Sequence, residues 1–306
     1  MIEFVWLKKI DFFPKKPNLA SMRTICLGTK SRSLGDALML TALPSLLKTH
    51  YPHLKITSYP RAFNPIVLTQ LPEVSGISFL PDAVYGDECN EGAGQIIQLK
   101  QRYLGLPVDP NPKPRILLTP SHHKKADHWI KFQLPENKHP RLVIHPFGQT
   151  RLKSWEIESW EKLIDQCKPF FNVIQVGLRE HPPLKGCAGY FLTSKRYRSF
   201  YSLAALIAKA DLFIGVDSGP MHIARAFEIP SLICVNEPRI IEKLKTRDHE
   251  PYHQREMTLE SFLYQSNLHT TLRELASQLE STLDQLHQKQ PDHLFFQRLN
   301  GFFKRR

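Results

Sequence analysis

The sequence predicts an α/β protein built as two Rossmann-like lobes that face one central cleft. Three observations carry this prediction. Short apolar runs alternate with helix-like stretches, first between residues 22 and 58 and again between 141 and 234. A proline-rich, polar interval separates the two series. Within each series an apolar run passes through a polar or glycine-containing loop into a helical pattern, which is the order of a parallel α/β layer.

The elements follow in order. After a lead segment, 1–21, "MRTICLG" (22–28) reads as a short buried strand. The polar loop "TKSRSLGD" follows, then "ALMLTALPSLLKTHYP" with helical spacing, ending at Pro52, and "LKITSYP" as a second strand. From about 81 to 140 the periodic signal fades through "PVDPNPKPRILLTP" and "SHHKKADHWIKFQLPENKHP", which places a linker near 135–140. The pattern then restarts with the strand "RLVIHPFG", the amphipathic helix "SWEIESWEKLIDQC", the strand "FNVIQVGL" and the helix "SFYSLAALIAKA". The strand "DLFIGV", another helix and the strand "SLICV" complete it. Residues 257–290 read as helical throughout. The expected organisation is therefore a first lobe over 1–139, a second over 140–256, and a helical segment with a basic aromatic tail over 257–306.

Composition limits the function classes. The chain has 306 residues, 42% of them hydrophobic, enough to bury a core in one large domain or two ordinary ones. A formal charge of +12 points to an anionic partner, whether nucleic acid, phospholipid or a phosphorylated small molecule; a basic soluble surface explains it equally. The 5 cysteines (Cys26, Cys89, Cys167, Cys187, Cys234) never take CxxC spacing, which argues against a disulfide framework or a zinc site and fits a reducing cytoplasm. No apolar run approaches the roughly 18 residues of a membrane span, and the N-terminus is too interrupted by charge for a secretory signal.

The stretch "ADLFIGVDSGPMHIARAFEIP" (210–230) carries the chemistry. An apolar strand stops at Asp217-Ser218-Gly219-Pro220 and a helical pattern begins. Asp217 or Ser218 suits the helix cap, Pro220 suits the first helical position, and Gly219 lets another group approach the backbone. Such a helix start at the carboxyl end of a strand is an anion site; a capped helix without a ligand fits the same residues. The loop "HPFGQTRLKSW" (145–155) also joins a strand to a helix and carries Gly148, Gln149, Thr150, Arg151 and Lys153. Its hydroxyl, amide and cations suit a diphosphate, although it lacks Walker spacing and a solvated basic loop would look alike.

Taken together, "HPFGQTRLKSWEIESWEKLI", "VIQVG", "YSLAALIAKADLFIGVDSGPMHIARAFEIPSLIC" and "SLGDALMLTALPSLLKTHYP" resemble the family 9 glycosyltransferases, relatives of the ADP-heptose:lipopolysaccharide heptosyltransferases. The resemblance implies a GT-B fold with the donor on the second lobe. It implies an inverting transfer of a sugar, heptose by analogy, from a nucleoside diphosphate, ADP by analogy, to a lipopolysaccharide-type or other glycan acceptor. It implies no metal cofactor, and no DxD motif of the metal-dependent kind is visible. Asp36 matches the family's general base. Lys153 matches the lysine at the donor phosphates, with Thr150 and Arg151 as neighbours. Ser218, Gly219 and the N–H groups of Met221 and His222 would hold phosphate oxygens, and Asp217 a sugar hydroxyl or the loop itself. The chain departs from the pattern at Asn236-Glu237-Pro238-Arg239, where family members usually carry Gly-Pro-Thr. A loop near the donor is therefore changed. The alternative reading is a GT-B-shaped binding or accessory protein without transferase activity.

Both chain ends mix aromatic and basic residues: "FVWLKKIDFFPKKP" and "LFFQRLNGFFKRR". That composition suits the surface of an anionic membrane leaflet, where a lipid-linked acceptor would be met, and equally suits ends whose aromatics pack on the lobes. No helix-turn-helix or aromatic-interleaved basic stripe marks a nucleic-acid binder. The histidines of "SHHKKADHWIK" fit no zinc spacing, and that segment reads as a solvated face.

Overall fold

A computed structural model describes residues 18–29, 33–78, 84–85, 101, 104–108, 113–136, 139–148, 156–193, 200–229, 231–234 and 262–263. Two parallel sheets organise them. The first holds β1 (Thr24–Leu27), β2 (Lys55–Ser58), β3 (Val74–Ile77) and β4 (Val84–Tyr85) in the order β3-β2-β1-β4. The second holds β5 (Arg141–His145), β6 (Asn172–Leu178), β7 (Gly189–Thr193), β8 (Leu212–Val216), β9 (Ser231–Cys234) and β10 (Phe262–Leu263) in the order β10-β9-β8-β5-β6-β7. The second order is that of a doubly wound sheet, reversing direction between β5 and β8. In register, Ile144 lies beside Ile214 and His145 beside Gly215. The carboxyl ends of these two strands therefore open side by side at the topological switch point.

The strands form where apolar residues run continuously, because helices cover both faces of a parallel sheet. All five residues of β8 are buried. Seven helices join them: α1 (Leu34–Leu40), α2 (Leu43–His50), α3 (Asn64–Leu68), α4 (Pro120–Gln133), α5 (Ile157–Cys167), α6 (Phe200–Ile207) and α7 (Gly219–Ala226) among the described residues. On α5, Trp160, Leu163, Ile164 and Cys167 fall at helical spacing on one face and fill a core with Leu142, Ile144 and Val173. A larger core runs through both lobes, from Ile25, Leu38 and Val67 to Val143, Ile174, Phe213 and Ile223. The lobes thus share buried apolar surface.

The structure corrects four elements of the sequence reading. The helix expected from Ala37 to Pro52 is two helices, and it begins earlier, at Leu34. Pro44 has no N–H to donate, and its ring excludes the carbonyl four residues back, at Leu40, the last residue of α1. The second correction is α4, fourteen residues long where the sequence read as polar linker and solvated face. Only Ala126 is buried on it, so it lacks the apolar stripe that announces a helix. Local capping and contacts with the second lobe hold it instead. Thr119 and His122 form a capping box. His122 stacks on Tyr201 at 4.7 Å, Trp129 meets Phe191 edge-on at 5.5 Å, and Asp127 pairs with Lys209 at 2.6 Å. The proposed boundary near 135–140 falls just after this helix. Third, β7 is a strand that the alternation did not single out. Fourth, Phe262–Leu263, within the expected 257–290 helix, pairs in parallel with Ile233 and Cys234. An open sheet edge offers backbone partners that override a local helical preference. The rest of 257–290 lies outside the described residues.

Candidate functional site

The site is assembled from two strand–loop–helix units that meet tip to tip. In the first, β1 leads through Gly28 and Thr29 toward α1. Gly28 is required there, since an added Cβ would lie 2.3 Å from Tyr59 Cβ. Thr29 is pinned by the fully buried Asn64, whose side chain donates to Thr29 O at 2.9 Å and accepts from Thr29 N at 3.2 Å. This clamp was not legible in sequence, since thirty-five positions separate the partners. Ser33 caps α1, and its hydroxyl accepts a long, 3.5 Å bond from the Asp36 N–H. Asp36 is therefore not on the loop, as expected, but in the first turn of the helix, partly exposed. A carboxylate there is favoured by the helix dipole.

In the second unit, β8 runs through Asp217 and Ser218 into α7. Ser218 occupies the N-cap position in extended geometry, but its side chain does not cap the helix. The hydroxyl instead donates to Val216 O at 2.9 Å and stands 3.0 Å from His145 Nδ1 across the switch point. Since the hydroxyl proton serves Val216, His145 Nδ1–H is the donor of the second bond, and the imidazole is neutral. Burial first, and the charge of neighbouring His181 second, push His145 down to about 3. His181 is itself held by its Nδ1, which accepts the Leu178 N–H at 3.1 Å, and its ring lies 4.9 Å from that of Phe147. The expected cap is thus corrected: Ser218 ties the two loops of the second lobe together, a role that sequence spacing does not reveal. Pro220 sits second in the helix rather than first. The first turn carries no acid, and the N–H groups of Gly219 and Met221 precede the first intrahelical bond.

The two helix starts touch. A Cβ added at Gly219 would lie 2.9 Å from Leu34 Cβ, and one added at Gly35 would lie 2.7 Å from His222 Cδ2. Gly219 therefore does give close approach, and the group that approaches is Leu34 of α1. The reciprocal glycines bring "SLGD" and "DSGPMH" together, so that Asp36, Ser218, Gly219 and His222 gather around one junction. Met221 and His222 are buried, and the Met221 side chain belongs to the shared core. The seam is extended by Tyr201, whose hydroxyl donates to Ile66 O of α3 at 2.8 Å, and by an ion pair between Lys113 and Glu228. Thr150, Arg151 and Lys153 lie outside the described residues, as do Gln149, the Asn236-Glu237-Pro238-Arg239 loop and both aromatic, basic chain ends.

Among the described residues, no group of three or more His, Cys, Asp or Glu side chains could hold a metal ion. No helix among them is long and apolar enough to cross a membrane. Cys26, Cys167 and Cys187 are free thiols, and burial raises the latter two to about 12, which makes them inert.

Residues 94–235 match glycosyltransferase family 9 (heptosyltransferase). No curated protein matches the chain in sequence. Among solved structures, the chain is similar to the E. coli ADP-heptose lps heptosyltransferase II, with 15% identity and a TM-score of 0.61, covering 87% of this chain and 100% of that one. It is similar to the family 9 glycosyl transferase from Veillonella parvula DSM 2008, with 12% identity and a TM-score of 0.60, covering 82% and 88%. The E. coli heptosyltransferase WaaC with ADP gives 12% identity and a TM-score of 0.55, covering 84% and 100%. Similarity at these identities is similarity of fold, and the GT-B-like pair of Rossmann-like lobes holds.

Proposed function

We propose, from the premise that this chain is a glycosyltransferase of the family 9 type, that it moves a sugar from a nucleoside diphosphate to a glycan acceptor with inversion at the anomeric carbon. Heptose and ADP are the proposed sugar and nucleotide, by analogy with the structural neighbours named for ADP-heptose and ADP. A lipopolysaccharide-type glycan is the proposed acceptor. One observation carries the reading: a helix start bearing a carboxylate, at Asp36, abuts an uncapped helix start at the switch point of the opposite lobe.

The chemistry follows from that pairing. Asp36 takes the proton of an acceptor hydroxyl as its oxygen attacks the anomeric carbon from the face opposite the nucleotide. The bond from that carbon to the phosphate oxygen breaks, and its electron pair leaves with the diphosphate. Ser218, Gly219 and the N–H groups of Met221 and His222, with the positive end of α7, receive the developing charge. Thr150, Arg151 and Lys153 add hydroxyl and cationic groups from the neighbouring loop, and Asp217 holds a sugar hydroxyl or the loop. Charge is thus neutralised by the protein's own groups, without a metal. The changed 236–239 loop makes donor choice the property most open to departure from the neighbours. The working place is proposed as the cytoplasmic face of an anionic membrane, with the aromatic and basic chain ends at its surface.

The test is a thermal-shift series with ADP, GDP, UDP and CMP, followed by transfer assays with the sugar of whichever nucleotide binds. A ligand held only by the folded state raises the melting temperature, by an amount equivalent to about 2.7 kcal/mol at one hundred times its Kd. ADP is expected to give the largest shift, and Lys153→Ala to reduce it. No shift with any nucleoside diphosphate would overturn the reading and leave a binding or accessory protein of GT-B shape.

A further inference from the structure

We propose that the outward face of α4 is a docking surface for an anionic phospholipid bilayer. At about 3.6 residues per turn, Ser121, Lys124, Lys125, His128, Lys131 and Phe132 fall within an arc of about 120°. All six are exposed. The opposite arc is the one that meets the second lobe, through His122 on Tyr201 and Trp129 on Phe191. Asp127, the helix's single acid, is turned to Lys209 at 2.6 Å. Nearby cations are already committed, Lys113 to Glu228 and Arg115 to Glu73 at 2.8 Å. Lys124, Lys125 and Lys131 make no ion pair among the described residues.

These charges stand against the helix's own field. The first turn of α4 contains no acid, and Lys124 and Lys125 follow it directly, with no carboxylate there to offset them or the positive helix end. These charges act within the cluster. Burial, then the charges of Lys125 and His123, hold the His122 imidazole below its ordinary value. An anionic surface relieves the repulsion among the lysines and with the dipole together. At the far end of the stripe, Phe132 is 65% exposed, with Lys131 Nζ 6.0 Å from its ring centroid. A basic stripe closing on an exposed aromatic suits the headgroup boundary of a bilayer. It does not suit a single-stranded nucleic acid, which needs a succession of rings on which bases stack. The inference rests on the proposed function only for its purpose, since a lipid-borne acceptor is met at such a surface; the docking itself needs no transfer.

Flotation of the full chain with phosphatidylcholine vesicles, and with equimolar phosphatidylcholine and phosphatidylglycerol, tests it. The protein is expected to float with the anionic vesicles and to be released as salt screens exposed charge. Combining Lys124→Gln, Lys125→Gln and Lys131→Gln should weaken partitioning about fivefold per lysine, on the order of 100-fold in all. Lys55→Gln, Lys162→Gln and Lys185→Gln together change net charge equally at exposed positions elsewhere and should leave most of the binding. Nucleoside-diphosphate thermal shifts, read on the same samples, report folding and the transferase reading separately. Docking through α4 is overturned if the α4 triple variant floats like the parent, if the control triple loses as much, or if neutral vesicles bind equally. Competition by single-stranded RNA through the same three lysines would overturn it too, by naming a nucleic acid as the partner.

Discussion

The units β1–α1 and β8–α7 follow one plan and end differently. Each runs from a buried parallel strand through a short polar loop into a helix whose start lies at the lobe junction. In the first, the serine at the N-cap turns forward, Ser33 to the Asp36 N–H, and the helix carries its own acid. In the second, the serine at the N-cap turns back, Ser218 to Val216 O and His145, and no acid stands in the first turn. The first helix end supplies its own negative charge. The second has neither a side-chain cap nor an acid in its first turn, so its positive dipole end is not offset from within the helix. In the proposed function, these two similar sequences of elements divide the labour of a transfer: the proposed base stands on one side and the proposed anion seat on the other.

The largest effect should come from Asp36→Asn. It keeps the shape of the first helix end and removes its base, so turnover should fall about 10²- to 10⁴-fold. Donor affinity, measured by calorimetry, should stay near that of the parent. Wild-type turnover on the true acceptor would remove Asp36 from the mechanism. Gly219→Val comes next. Its side chain must displace Leu34, an overpacking that typically costs about 1–3 kcal/mol. Thermal unfolding should show the loss together with weakened nucleoside-diphosphate binding. Unchanged stability would mean that the two helix starts do not need to touch.

The tie between His145 and Ser218 makes a prediction about acid. His145 is neutral in the folded chain down to about pH 3, whereas the unfolded chain protonates it near its ordinary value of 6.5. The folded pKa is the lower one, so its contribution is fully present above about pH 6.5. As pH falls below that value, the unfolded state gains the proton and stability is lost, at a slope of up to about 1.4 kcal/mol per pH unit until the folded group itself titrates. Denaturant titrations at successive pH values should show this slope and its absence in His145→Asn. An equal slope in both proteins would assign the acid sensitivity elsewhere. The smallest effect belongs to Ser33→Ala, which should cost about 1 kcal/mol through the lost cap. Ser218→Ala should act by another route, because it orphans a buried donor on His145, and adding His145→Leu should recover part of the cost. Independent, additive effects of these two substitutions would dissolve the contrast between the helix ends.

Much of the fold was legible because its signals are local. Continuous apolar runs such as "LFIGV" and "RLVIH" mark strands buried on both faces, and Gly-Asp or Asp-Ser-Gly-Pro between strand and helix marks a site-forming turn. The turns that carry Asp36, Ser218, Gly219 and His222 were legible in this way, whereas the roles proposed for these residues came from the family resemblance. The break at Pro44 is equally local, following from a missing N–H and a ring that excludes a carbonyl, but the helical spacing on both sides of it was read as one helix. The alternation of elements by itself therefore determined a two-series α/β chain and the strand-to-helix turns along it that the candidate site uses.

Only the tertiary structure decided which partner each of those positions has. Leu34 fills the space that Gly219 leaves, His222 that of Gly35, and His145 turns Ser218 away from its cap. The Asn64 clamp on Thr29 and the Tyr201 bond to Ile66 join residues far apart in sequence. The helix α4 depends on contacts with Tyr201, Phe191 and Lys209, and β10 on the free edge of β9. Neither has a periodic pattern to announce it. Propensity and periodicity act over a few residues, whereas the close approach of two helix starts and the choice of a serine's hydrogen-bond partner are fixed by packing between segments that the chain brings together only on folding.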